Sequence, residues 1–140
     1  MKNTEEFRIR AAQQEDAPAI SRVIQMAMHK EGCMAFAGTE DRLPLVDKTF
    51  TTLAGRNDSQ YSYLNSIVAE DAEGNLAGAI VSYDGALLHQ LRQAFVEVAN
   101  DVMDANFVEK DMDLETSDDE IYLDSLAVFP ESVSYTHLTL

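Results

Sequence analysis

The sequence is poor in cysteine and has no long apolar run. Its single cysteine, Cys33, cannot form an internal disulfide, which is typical of a protein kept in a reducing compartment. No apolar segment approaches the roughly 20 residues that a membrane helix requires. The polar start MKNTEEFRIR also lacks the apolar stretch of a signal peptide. We therefore predict a cytoplasmic protein that makes no membrane contact.

Basic residues are also scarce. There are 10 Lys and Arg against 25 Asp and Glu, which gives a net charge of −15. Such a field repels nucleic acids and anionic membranes and attracts cationic partners, including amines. The segment 109–120, EKDMDLETSDDE, concentrates the negative charge. We interpret it first as a solvated, mobile loop, and the alternative is a docking site for a cationic substrate.

Two kinds of site have no signature in the sequence. The histidines His29, His89 and His137 lack the spacing and the partners of a metal site, so we expect no bound metal. No glycine fingerprint for a nucleotide is present. Cys33 follows His29 by four residues, but no third orienting group supports a nucleophile, and we predict a partly buried thiol.

The first half of the chain predicts one strand and two helices. Residues 7–10 alternate between apolar and polar side chains, as in a half-buried strand. Asp16 is a suitable N-cap for the helix that follows. One apolar face recurs at helical spacing in Ile20, Val23, Ile24, Ala27 and Met28. We expect Gly32 to end this helix, residues 33–42 to form a loop, and residues 44–55 to form a second helix.

The second half predicts a hairpin, a helix and a strand. The hairpin comprises residues 66–70 and 76–83, joined by a turn that contains Gly and Asn. An amphipathic helix that packs on the sheet is expected over residues 86–103. A strand over residues 121–129 ends at Pro130. The order strand, helix, helix, hairpin, helix, strand predicts a single α+β domain with a mainly antiparallel sheet.

Several segments in this order resemble the GNAT superfamily of N-acetyltransferases. FRIRAA and EDAPAI (7–12 and 15–20) are similar to the first strand and helix of that family, and IVAED and GNLAGAI (67–71 and 74–80) to its second and third strands. YLDSLAVFPE (122–131) is similar to its fourth strand and exit. The resemblance implies a GNAT-like acyl-CoA N-acyltransferase fold, with residues 1–131 as a partial N-acetyltransferase domain.

The segment after this strand departs from the family pattern. In the family, the Pro-Glu position leads to Arg/Gln-x-x-Gly-x-Gly/Ala, whose backbone N–H groups hold the cofactor pyrophosphate. Residues 132–140 instead read SVSYTHLTL, without glycine or arginine. Back-translation of this segment matches the mosaic end and adapter of transposon-based sequencing libraries. We therefore expect a non-native tail on a truncated GNAT-like fragment that has little or no activity.

The resemblance implies transfer of an acetyl group from acetyl-CoA to a primary amine. In the fourth strand, the backbone of Leu126, Ala127 and Val128 would bind the acetyl carbonyl and the pantetheine arm. Asp124 is our candidate for the base or for an amine-orienting carboxylate, with Glu120 behind it at the mouth of the strand. The alternative for Asp124 is a structural hydrogen bond to a backbone group.

Strand alternation makes a further prediction about this fourth strand. It places Tyr122, Asp124 and Leu126 on one face and Leu123, Ser125 and Ala127 on the other. Without a downstream helix and neighbouring strand, we also expect an unpaired edge and an exposed apolar face here.

Other functions stay open at this level. The chain could be a small acidic α+β binding module without catalysis, whose charged loop docks a basic partner, or a ligand-sensing domain of a larger protein. For an enzyme, the acceptor is a small-molecule or peptide amine, and the acidic loop favours a cationic small molecule. The resemblance allows a homodimer of the intact parent.

Overall fold

A four-stranded antiparallel sheet forms the base of the fold. The computed structural model describes residues 6–132. The predicted non-native tail, residues 132–140, therefore lies outside the described residues except for Ser132. The strands lie in the order β1-β2-β3-β4. Their bounds are Arg8–Ala11, Ser66–Glu70, Leu76–Asp84 and Ile121–Val128. This arrangement confirms the predicted α+β class with an antiparallel sheet.

Three helices of the described region accompany the sheet: α1 (Ala17–Ala37), α2 (Leu43–Gly55) and α3 (Leu88–Met103). Proline in the first turn of α1 and of α2 is tolerated because the N–H groups there have no intrahelical partner. The core lies between α1, α2 and one sheet face. Its fully buried residues include Ile20, Val23, Ile24, Val46, Leu53, Val68 and Val81. The predicted apolar face of α1 therefore supplies much of the core.

The prediction that Gly32 ends α1 is wrong, and so is the predicted loop over residues 33–37. The helix is interrupted at His29, where φ is 63° and ψ is 168°, and then continues to Ala37. Cys33 and Ala37 are buried in the core beyond the break. Burial of this turn outweighs the roughly 1 kcal/mol that glycine costs within a helix. Gly38, with φ of 88°, ends α1 instead.

Backbone strain at His29 leads to a stability prediction. A side chain at this φ and ψ costs on the order of 1–3 kcal/mol, and glycine avoids most of that cost. We expect His29→Gly to raise the free energy of unfolding by about 1 kcal/mol in urea denaturation. Lys48→Gly, at an exposed position inside α2, should lower it by about 1 kcal/mol. Equal destabilisation by both substitutions would contradict strain at His29.

The third helix begins two residues later than predicted and packs differently. A short 3₁₀ turn over Gly85–Leu87 precedes it, and the Asp84 carboxylate accepts a hydrogen bond from the Ala86 N–H. The helix lies chiefly against α2, whereas we had expected it to lie on the sheet. In its first turns, Leu88 and Leu91 cluster with Tyr83 of β3, and further along Phe95, Val98 and Ala99 belong to the main core.

The other face of the sheet is uncovered in residues 6–132. Its apolar side chains are about half exposed or more: Ile9, Ile67, Leu123, Leu126 and Val128. Part of this face forms an apolar groove of about 270 Å³. β4 is also an edge strand. The exposed face and unpaired edge expected from the sequence are thus present in this region.

Candidate active site

A bulge in β4 positions the candidate catalytic residue. Val81 of β3 pairs with Ser125, and the next residue, Ser82, pairs with Leu123. Asp124 therefore has no partner on β3, which is the geometry of a β-bulge. Because one extra residue is inserted here, side-chain alternation reverses at this point.

The predicted faces of β4 are therefore wrong. Asp124 and Ser125 both line a pocket on the helix side, together with Tyr122. Ser125 is 5% exposed. Leu123 and Leu126 are 56% and 55% exposed on the opposite side. The bulge thus separates Asp124 from Leu126, which simple alternation placed together.

The pocket has a volume of about 300 Å³ and is enclosed by residues from α1, α2, α3, β4 and the acidic loop (109–120). Its walls combine the aliphatic side chains of α1 and Met112 with five aromatic residues: Phe36, Phe50, Tyr61, Phe95 and Tyr122. Neighbouring rings are in contact: the centroids of Phe36 and Phe50 are 5.7 Å apart, and those of Phe50 and Tyr61 are 5.2 Å apart. A concave apolar site with a few polar groups is typical of a small-molecule pocket.

The carboxylate of Asp124 is held by hydroxyl groups. Its Oδ1 accepts a hydrogen bond from Ser125 Oγ at 2.9 Å, and its Oδ2 accepts a longer one from Tyr83 at 3.4 Å. Both partners are side chains. The sequence left open that Asp124 makes a structural hydrogen bond to a backbone group, and within residues 6–132 its carboxylate makes none. Burial raises the pKa of Asp124 to about 6; the Ser125 hydroxyl opposes this rise, and the nearby Glu115 charge adds to it. Asp124 can therefore exchange a proton near neutral pH.

The tyrosines around Asp124 remain protonated. Burial raises the pKa of Tyr61 well above its usual value, and the Asp124 charge raises it further. The pKa of Tyr83 is also raised, mainly by burial and next by the Asp124 charge. The pKa of Tyr122 is raised mainly by burial and next by the Glu115 charge. Their hydroxyls are hydrogen-bond donors rather than bases at neutral pH.

Sequence reasoning missed two polar residues of the pocket. Glu115, from the acidic loop, has a side chain that is 43% exposed, and its Oε1 lies 3.5 Å from Nη2 of Arg92. Gln60 is 2% exposed, and within residues 6–132 its Oε1 has no hydrogen-bond partner. Glu115 lies within a run of acids that pattern alone cannot tell apart. Gln60 belongs to a polar linker that carries no signal of its own.

The acidic loop is anchored, although its side chains are mostly exposed. Arg92, 1% exposed, donates from Nη2 to the Asp113 carbonyl at 2.6 Å. The Gly85 N–H donates to the Glu120 carbonyl at 2.7 Å. A Cβ on Gly85 would clash with the Ser117 carbonyl oxygen, so this close approach requires glycine. The loop is thus solvated, as predicted, and these contacts fix its path and place Glu115 at the pocket.

Glu120, the second predicted catalytic carboxylate, lies outside the pocket lining. Its Oε1 accepts hydrogen bonds from the Ser117 N–H at 2.9 Å and from Thr116 Oγ1 at 3.0 Å. These bonds lower its pKa, the Ser117 N–H having the largest effect. Glu120 therefore stabilises the loop, and the structure does not bring it together with Asp124.

The predicted cofactor-binding residues lie on the free edge of β4. The Phe129 N–H donates to the Ala77 carbonyl of β3 at 2.7 Å. In an antiparallel pair, alternate residues direct their backbone groups toward the partner. Ala127 therefore faces β3, whereas the backbone N–H and C=O groups of Leu126 and Val128 point to the open edge. Two of the three predicted residues thus have backbone groups that are unpaired within the sheet.

Other candidate chemistry is not found in residues 6–132. Cys33 is 7% exposed, and burial raises the pKa of its thiol, so it is a poor nucleophile. No group of three or more His, Cys, Asp or Glu side chains in this region could hold a metal ion. No helix in the same region is long and apolar enough to cross a membrane.

Comparison with known proteins identifies the fold. No protein-family profile and no curated protein matches this chain. It is similar to a solved N-acetyltransferase from Staphylococcus aureus Mu50 at 21% identity and a TM-score of 0.63, which covers 89% of this chain and 66% of that one. It is also similar to a solved acetyltransferase at 24% identity and a TM-score of 0.61, which covers 89% and 64%. The chain therefore has the α+β fold of these two acetyltransferases and spans just under two thirds of their length.

Proposed function

We propose that this chain is part of an N-acetyltransferase that transfers an acetyl group from acetyl-CoA to a primary amine. One observation carries the proposal: Asp124, with a pKa of about 6, lies in a partly aromatic pocket. It precedes by two residues Leu126, whose backbone groups point to the open edge of β4. A base beside a small pocket and unpaired backbone donors are the parts that acyl transfer to an amine needs. The shared fold supports the same reaction class.

Asp124 acts on the amine. An alkylammonium ion that enters the pocket must lose a proton before its lone pair is available, and the Asp124 carboxylate accepts it. Acetyl-CoA supplies the acetyl group as a thioester. Transfer forms a C–N bond, breaks the C–S bond and releases one proton overall, which Asp124 passes to solvent while the thiolate is protonated. Ser125 and Tyr83 keep the carboxylate oriented during this exchange.

The free edge of β4 fits the acyl end of acetyl-CoA. The N–H groups of Leu126 and Val128 would donate to the acetyl carbonyl and to amides of the pantetheine arm, as an added strand does. The Arg/Gln-x-x-Gly-x-Gly/Ala segment that holds the pyrophosphate in the GNAT family has no counterpart in the sequence, which contains no glycine after Gly85. We therefore propose that residues 1–131 are a partial domain and that residues 132–140 are not native.

Calorimetry on the 140-residue chain tests the missing pyrophosphate site. We expect acetyl-CoA to bind with a millimolar dissociation constant or more weakly, and the chain to have little or no acetyl-transfer activity, because the sequence lacks the glycine-containing motif that binds the phosphates in the GNAT family. Micromolar binding would contradict this part of the proposal.

Reading the source DNA beyond codon 131 tests the function itself. We expect an Arg-x-x-Gly-x-Gly continuation within a few codons, and we expect the protein expressed from that frame to release CoA from acetyl-CoA when a primary amine is present. A stop codon directly after Glu131 would favour the non-catalytic acidic binding module. Native DNA that encodes the same residues 132–140 would rule out a foreign tail.

A further inference from the structure

Arg92 of α3 is a buried cation that is incompletely paired. Its side chain is 2% exposed, although arginine is rarely buried unless it is paired. Within residues 6–132, its Nε and Nη1 atoms have no hydrogen-bond partner. Its Nη2 atom donates to the Asp113 carbonyl at 2.6 Å and lies 3.5 Å from Glu115 Oε1. Such a charge costs stability, which favours a role in a site over a role in holding the fold.

Both partners of Arg92 belong to the acidic loop (109–120). The side chains of Met112 and Glu115 in this loop line the pocket, and Asp113 lies between them in sequence. The loop side chains themselves are mostly exposed, so they contribute little burial that could fix the loop. The contact from Arg92 therefore holds the part of the loop that forms one side of the pocket.

The loop and Arg92 both influence the carboxylate of Asp124. Burial is the main cause of its raised pKa; the Glu115 charge adds to the rise, and the Arg92 charge opposes it with a smaller effect. The residues of α1 and α2 that line the pocket are apolar. The titratable or charged groups that interact with Asp124 come from the segment before β2, from β3, α3, the acidic loop and β4: Tyr61, Tyr83, Arg92, Glu115 and Tyr122.

We propose that Arg92 is a positioning residue of the acetyl-transfer site, which holds the acidic loop, and with it Glu115, against the pocket that contains Asp124. Loss of Arg92 releases the loop at residues 112–115, opens Asp124 to water and moves the Glu115 charge away. The inference rests on the proposed function only in the catalytic role given to Asp124, because the position of the loop requires no acetyl-CoA.

An NMR titration of the Asp124 carboxyl carbon in the 140-residue chain tests this role. Glu115→Gln should lower the pKa of Asp124, because it removes a negative charge. Arg92→Met should also lower this pKa, because a released loop hydrates Asp124 and takes Glu115 away. Loss of the Arg92 charge alone, with the loop in place, would raise it. Glu115→Gln added to Arg92→Met should have no further effect.

Hydrogen exchange gives a second readout of the loop. In Arg92→Met, the amides of residues 112–115 should exchange about tenfold faster, because a hydrogen bond from a charged group is lost. This variant should fold, since apolar replacement of a buried charge is often neutral or stabilising. If it does not, Arg92→Gln, which is neutral and shorter, takes its place in both measurements. Arg56→Met removes an arginine that pairs with Asp58 outside the pocket lining and should change neither readout.

Kinetics on the protein expressed from the natural reading frame connect the loop to catalysis. With a primary amine as the acceptor, Arg92→Met should move the acidic limb of kcat/KM to lower pH and raise KM for the amine. Arg56→Met should do neither. A pKa of Asp124 that is unchanged or raised in Arg92→Met would overturn the positioning role, and so would an equal effect of Glu115→Gln in both backgrounds.

The two proposals can fail separately. Coupling between Arg92 and Glu115 in the titration, without CoA release by the natural protein, would support the positioning role and contradict the acetyltransferase. CoA release without this coupling would have the opposite meaning.

Discussion

Replacing Asp124 with asparagine is expected to lower kcat/KM for acetyl transfer by about 10²–10⁴-fold in the protein expressed from the natural reading frame. Asparagine keeps the size of the side chain and an oxygen for Ser125 to donate to, but it cannot accept a proton. The measurement is the rate of thiol release from acetyl-CoA with a primary amine as the acceptor.

The pH profile gives this prediction a second readout. Because Asp124 must be ionised to act as a base and its pKa is about 6, wild-type kcat/KM should fall as the pH drops below 6. Asp124→Asn should lack this acidic limb. Asp101→Asn, at an exposed position of α3, and Glu120→Gln should both retain activity. A variant at position 124 with near-normal activity would exclude Asp124 as the base.

The same substitution should stabilise the protein at alkaline pH. The pKa of Asp124 is about 6 in the folded protein against 3.8 for the unperturbed group. The folded state therefore binds this proton more tightly. The stability that the protonated Asp124 contributes is fully present below pH 3.8 and is lost as the pH rises through 6. Above that range the folded protein carries the cost of a half-buried negative charge.

Asparagine avoids this cost, so Asp124→Asn should raise the free energy of unfolding by about 2 kcal/mol at pH 8. At pH 4 the difference from wild type should be close to zero. Urea denaturation at the two pH values measures both differences, and Asp101→Asn serves as the exposed control. A loss of stability that is the same at both pH values would show that burial does not perturb Asp124.

Local patterns were sufficient for most of the secondary structure. Alternation predicted β2 and β3 within a residue of their observed bounds, and the 3.6-residue period predicted the buried face of α1. The prediction that the helix ends at Gly32 was wrong, because the low helix propensity of glycine costs only about 1 kcal/mol. The burial of Cys33 and Ala37, which no local pattern reveals, outweighed it.

The candidate site was predictable only in part. Asp124 stood out as a carboxylate within an apolar strand, and Leu126 to Val128 followed from the resemblance of that strand. Glu115 and Gln60 were missed because each lies in a polar segment whose residues look alike in sequence. The pocket joins segments from Ile24 to Ser125, which are distant along the chain. Such contacts are set by tertiary packing.

By itself, the sequence determined the strands and helices, the acidic field and the antiparallel α+β class, because these follow from the period and charge of neighbouring residues. The tertiary structure decided which side of β4 each residue faces. The bulge at Asp124 depends on pairing with β3, and one inserted residue reverses the alternation that sequence alone assumes. It also decided that Glu115, one acid among many, lies at the pocket, because Arg92 and Gly85 of distant segments hold its loop there.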